Sequence, residues 1–160
     1  MNSRIALALF SLAILCLTIS AAVTPVHSAV QTDTDRVNAI LRALDDRMLT
    51  ARERLGFFHD DAVIMAPDEA PIRGEHNLLS HLEAAAQATG VSHVHYYRSI
   101  ERFDDIVVTE GGVRGEWRKT PASDPVAFET NNLIVFREDQ KGVLKIWKVI
   151  FNHAPSSTVE

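Results

Sequence analysis

His93 and His95 are separated by one residue, and they are the first residues here whose types and spacing suggest chemistry. On a strand, residues i and i+2 project to one face, so both imidazoles could reach one metal ion. A third ligand would have to come from Glu116 or His153, far along the chain, and neither a His-Glu-x-x-His helix nor a cysteine ligand completes the set. Histidines on a half-exposed strand are more often surface residues, and the expectation is no metal and no other cofactor. Imidazole titrates near neutrality. If the protein is an enzyme, its general acid or base is therefore expected to be His95.

A second polar group stands out further on. In the stretch Val126–Phe136, alternation puts Val126, Phe128, Ile134 and Phe136 on one face, and Thr130 and Asn132 share it. A buried amide without partners costs about 1–3 kcal/mol. Asn132 either lines a pocket and bonds a ligand, or it bonds a neighbouring side chain or a buried water. Tyr97 and Glu101 continue the face of His93 and His95. Trp117 and Trp147 could floor a pocket or be plain core. Lys148 alternates with Leu144, Ile146 and Ile150, as a buried cation or, more simply, with its stem packed and its head wet. His81 could face a pocket mouth from a helix, whereas His76 belongs to an exposed first turn. Asp60-Asp61 reads as a solvated turn. No Gly-rich phosphate loop and no nucleophile elbow is present.

The elements that must position these residues follow an N-terminal leader. Met1–Arg4 carries Arg4, Ile5–Ile19 is almost wholly apolar, and Ser20–Ser28 is small and polar with Pro25. That order is the pattern of a secretion signal cleaved after Ser28, the alternative being an uncleaved anchor. The expectation is a signal over 1–28 and one domain over 29–160, secreted or periplasmic, with no stable membrane association after cleavage. Cys16, the only cysteine, lies inside the leader, so the domain would hold together without disulfides. The roughly 130 residues that remain suffice for a packed core. A net charge of −5 with both signs interspersed offers no basic stripe for nucleic acid.

Val37, Ile40, Leu41, Leu44 and Met48 keep helical spacing after Thr and Asp capping residues. Thr50-Ala51-Arg52-Glu53 is a capping box for a second, short helix running to Phe58. Ala62–Ala66 reads as a short strand. Arg73-Gly74-Glu75 opens a third helix with Leu78, Leu79 and Leu82 inward, and Gly90 is placed to cap its end. Then Val91–Phe103, Ile106–Arg118, Pro125–Arg137 and Val143–Asn152 are β-branched and aromatic, punctuated by short turns. Helices first and strands afterwards is an α+β arrangement. Gly111-Gly112 and Gly115 inside a strand mark a bulge or bend.

Phe57-Phe58-His59-Asp60-Asp61-Ala62-Val63, Pro67 followed by Arg73-Gly74-Glu75, and Gly142-Val143-Leu144-Lys145-Ile146 occur in an order that resembles the nuclear transport factor 2-like (NTF2-like) superfamily, which includes ketosteroid isomerases and SnoaL-like polyketide cyclases. The resemblance covers roughly Asp33 to Asn152. It implies a cone: a strongly curved, mostly antiparallel sheet wrapped around three N-terminal helices, with a pocket at the open end. It also implies a homodimer through the outer sheet face. Ketosteroid isomerases carry a catalytic Asp before the Pro that ends the first strand. Ala66 stands there in this sequence, and alanine cannot act as a base. By alternation and analogy, the pocket lining is expected to include Met65, His81, Tyr97, Trp117 and Asn132. The functional expectation is an exported domain binding a small, partly apolar molecule. The alternatives are an isomerase, lyase or cyclase acting in the pocket, or a dimeric interaction protein without a small ligand.

Overall fold

Helix α1 (Asp33–Asp45) begins at Thr32, whose hydroxyl accepts from the Asp35 N–H while the Asp35 carboxylate accepts from the Thr32 N–H. Helix α2 (Ala51–Leu55) is opened the same way by Thr50 and Glu53. Each box satisfies backbone donors that the first helical turn leaves free. The computed structural model describes residues 31–87, 91–120 and 122–154. The expected leader and the cap at Gly90 lie outside them.

Strands β1 (Phe58–Met65) and β2 (Ile72–Arg73) precede helix α3 (Glu75–Gln87), and β3 (Ser92–Phe103), β4 (Ile106–Trp117), β5 (Val126–Glu138) and β6 (Leu144–His153) follow it. They form one six-stranded sheet in the order β2-β1-β6-β5-β4-β3. Among the described residues only the β1–β6 pairing is parallel. The sheet is curved and not closed, and the architecture is α+β as expected. Val37, Ile40 and Leu41 of α1 and Leu78 of α3 pack with Phe58, Ile64, Val107, Ile134, Phe136 and Ile146 from the sheet's inner face. Apolar stripes of period 3.6 thus meet apolar faces of period 2.

Some local expectations do not hold. Met48 is 87% exposed because α1 ends at Asp45, before its turn of the stripe. Helix α2 stops at Leu55, and β1 already begins at Phe58, so Asp60-Asp61 is strand and not turn. Side-chain partners make this tolerable: the Asp61 carboxylate accepts from Arg137 Nη2 at 2.7 Å and from Trp147 Nε1 at 3.2 Å. Trp147 is therefore held among polar partners, with the Arg137 guanidinium and the Lys148 ammonium over its ring.

Bulges account for two face assignments that simple alternation misses. The β5–β6 register jumps between Val135–Lys148 and Phe136–Ile146. The extra residue in β6 turns Val149 and Phe151 toward the core and takes Lys148 off the face of Ile146. The β3–β4 register likewise jumps between Tyr97 and Ser99. Ile100 then packs on the core, and exposed Glu101 no longer shares a face with His93 and His95. Gly111 faces the same jump. A Cβ there would collide with the Tyr96 carbonyl oxygen, and one at Gly112 with that of Thr130. Only glycine permits the backbones to approach so closely.

Candidate functional site

Between the helices and the inner face of the sheet lies a cavity of about 340 Å³. Its walls are mostly apolar, with Leu44, Ile64, Val113, Phe128, Val149 and Phe151 among them, and its polar lining is Arg54, His81, His93, His95, Thr130 and Asn132. An apolar cavity of this size with a few convergent polar groups has the character of a small-molecule site.

Asp45, the last residue of α1, reaches across to β3. Its Oδ2 accepts the backbone N–H of His95 at 3.0 Å, and its Oδ1 lies 2.5 Å from His95 Nδ1. Both side chains are largely buried, at 16% and 15% exposure. Burial pushes the Asp45 carboxyl up, but the hydrogen bonds and charge of His95 outweigh it and hold the carboxyl below its ordinary value. An ionised carboxylate accepts only, so Nδ1 carries the proton and donates it. The other ring nitrogen, Nε2, has no partner among the described residues; in the neutral imidazole it is an acceptor on a cavity-lining side chain. A carboxylate that holds an imidazole in one tautomer is the arrangement of a general base.

His93 completes the cluster. Its Nε2 lies 3.6 Å from Asp45 Oδ1, and its ring meets that of His95 edge-on with centroids 5.7 Å apart. Burial, then the charge of His95, push the His93 imidazole down. One ligand atom from each of Asp45, His93 and His95 falls within 4.8 Å of the others, the reach of a metal site. Two ligands on a tetrahedral ion with bonds near 2.0–2.1 Å stand roughly 3.4 Å apart. Asp45 Oδ1 and His95 Nδ1, 2.5 Å apart, are therefore hydrogen-bond partners and not two ligands of one ion.

Asn132 and Thr130 sit side by side on β5 as the alternation requires, both buried. Thr130 Oγ1 accepts the Val113 N–H at 3.0 Å and donates to Asn132 Oδ1 at 2.6 Å. The Val113 carbonyl oxygen, at 3.4 Å, is the hydroxyl's longer alternative, and the amide oxygen faces Thr130. Asn132 Nδ2 has no partner among the described residues, so it is a free donor on a residue of the cavity wall.

Of the residues named from sequence, the structure brings His81, Asn132 and His95 to this one cavity. Met65 follows the inward Ile64 and takes the opposite face of β1. Tyr97 packs on the core beside α1, in a separate groove with Asn38, Leu41 and Arg42. Trp117 ends β4 and is 41% exposed. Glu116 is exposed on β4 and His153 is exposed at the end of β6, and neither joins the cluster of His93 and His95. Two residues of the site carry no expectation from sequence. Asp45 lies 50 positions from His95, and nothing local announces that contact. Arg54 does leave a trace: with Ala51 and Leu55 it stands at helical spacing on what is otherwise an apolar stripe.

No protein-family model matches the chain, and no curated protein matches it either. Solved structures do. A ketosteroid isomerase-like protein from Erwinia carotovora atroseptica superposes with a TM-score of 0.64 at 13% identity, over 76% of this chain and 94% of that one. An NTF2-like protein with a cystatin-like fold from Novosphingobium aromaticivorans gives 0.61 at 12% identity, over 78% and 80%. A protein from Shewanella putrefaciens described as a SnoaL-like polyketide cyclase gives 0.58 at 11%, over 75% and 78%. At such identities the likeness is one of fold. The chain has the NTF2-like fold that its motifs resemble.

Proposed function

We propose that this protein is an enzyme of the isomerase or lyase type, which moves a proton next to a carbonyl group of a small, largely apolar molecule. The observation that carries the reading is the 2.5 Å contact between Asp45 and His95 beside an apolar cavity. It supplies a base where the family's usual position holds Ala66. His95 Nε2 takes the proton from the carbon beside the carbonyl, the C–H electron pair becomes a C=C bond, and the carbonyl π pair moves onto the oxygen. Asn132 Nδ2–H donates to the enolate oxygen so formed. The proton then returns at another carbon, which is isomerisation. In the other outcome a β-hydroxyl departs as water, protonated by His81 from α3. The N-terminal pattern supports export to the periplasm or the medium.

Proton exchange tests this without knowledge of the natural substrate. Purified protein is incubated in D2O with small cyclic ketones, β-hydroxy ketones and keto acids, and deuterium at the α-carbon is followed by NMR. The wild type should catalyse exchange for at least one of them, and His95→Asn should slow it by about 100-fold or more. An inert wild type, or an unimpaired His95→Asn, would sink the reading.

A second reading, association between copies of this chain, is favoured by apolar side chains exposed on the outer sheet face. Leu133 and Ile150 are register partners there, 39% and 42% exposed. Leu133→Glu should convert a dimer to a monomer in solution, and an unchanged mass would remove this face as the interface.

A further inference from the structure

We infer that the molecule taken by this cavity is an organic anion, whose carboxylate is held by Arg54. This deepens the proposed function by naming a substrate class, and it rests on that reading only for the identity of the site. Arg54 is the buried cation of α2, 8% exposed and part of the cavity wall. A guanidinium stays protonated in proteins, and a buried charge is costly unless something pairs it.

Arg54 is poorly paired. Its Nη2 donates to the Asp46 carbonyl oxygen at 2.7 Å. Its Nε is enclosed, with no partner among the described residues. Nη1 is likewise without a partner among them but is not enclosed, so the terminal nitrogens are what a ligand meets. No carboxylate comes within ion-pairing distance of it among those residues. Among the described residues the cavity lining holds no acidic residue, and Asp45, behind the histidines, is committed to His95 and His93. A backbone carbonyl offsets only part of a full positive charge, so a counter-charge is missing on the protein's side.

A ligand carboxylate supplies it. The planar fork of Arg matches a carboxylate's two oxygens, and in a cavity with apolar walls the attraction is little screened by water. Leu44, Phe128 and Phe151 would cover the ligand's apolar body while His95 faces its reactive carbon and Asn132 its carbonyl oxygen. The class is thus a small carboxylic acid with an apolar frame and a carbonyl or hydroxyl group.

The test compares two probes of one shape, cyclohexanecarboxylate and cyclohexanecarboxamide, with sulfate as a bare anion. Binding to the protein purified from the full-length chain is read by imidazole resonances of His81, His93 and His95. The carboxylate should bind about tenfold or more tighter than the amide, and tighter than sulfate. Arg54→Met should abolish that preference, and Arg54→Lys should retain part of it. Equal binding of acid and amide, equal binding of sulfate, a preserved preference in Arg54→Met, or no binding of either organic probe would each overturn the inference. If Arg54→Met does not fold, the wild-type comparison alone decides. Because binding is read without turnover, loss of the charge preference leaves the proton chemistry standing. The absence of that chemistry likewise leaves a measured preference standing.

Discussion

Asp45→Asn is the most informative single change, because it keeps the shape of the side chain and alters only what it can donate and accept. The carboxylate takes two hydrogen bonds from His95, one from the backbone N–H at 3.0 Å and one at Nδ1 at 2.5 Å. An amide has one acceptor oxygen. If that oxygen keeps the backbone N–H, its NH2 faces Nδ1 and Nδ1 can no longer carry a proton. The proton moves to Nε2, and the nitrogen meant to act as base becomes a donor. Comparable tautomer reversal in a protease triad lowers turnover by about 10⁴-fold, so a loss between about 10² and 10⁴ is expected here. Two hydrogen bonds to a charged group are exchanged for neutral ones, costing about 2 kcal/mol in all. For a domain of roughly 130 residues that is a fall in Tm of about 5–10 °C. The assay is ¹⁵N–¹H correlation of the imidazoles at neutral pH, with thermal unfolding beside it. The wild type should show His95 protonated at Nδ1, and the variant should show it protonated at Nε2. The same tautomer in both proteins, with an unchanged Tm, would refute the argument that Asp45 orients this ring.

Acid should destabilise the fold through two groups of the site. The Asp45 carboxyl is held low in the folded state, so its stabilisation is present above the unfolded carboxylate value and is lost as pH falls through the lowered one. The His93 imidazole is also pushed down, so the unfolded chain binds its proton first and stability falls as pH drops below about 6.5. Denaturant midpoints measured from about pH 8 to about pH 2 should decline in two steps, one just below neutrality from His93 and one below about pH 4 from Asp45. His93→Gln should flatten the first step, and an unaltered profile in that variant would show that His93 is not the group involved. Thr50→Ala removes the oxygen that caps the Glu53 N–H at 3.2 Å. It should cost about 1 kcal/mol, seen as a shifted urea midpoint, and a shift near zero would mean that packing alone holds α2.

Much of the fold was legible because its signals are local. Capping boxes at Thr32 and Thr50, apolar residues at helical spacing in α1 and α3, and the β-branched strands after residue 91 all act within a few residues of where they are written. Alternation alone was enough to place Thr130 and Asn132 together on a buried face of β5. It misplaced Glu101 and Lys148 because a bulge shifts the face of everything beyond it, and the bulges depend on pairing with β4 and β5. Trp117 and Met65 are pocket-like by type, but a strand end and a strand face took them elsewhere.

By itself, then, the sequence determined the three helices and every strand but the two-residue β2, their order and the polar pair on β5, since propensity, caps and period are properties of neighbouring residues. The tertiary structure decided how the site is put together. Only folding brings the end of α1 onto β3, so that Asp45 meets His95 across 50 positions and orients its imidazole. Only folding buries Arg54 in the wall of the same cavity without a carboxylate of its own among the described residues. Contacts between distant segments depend on how the curved sheet closes over the helices, and no local pattern encodes that closure.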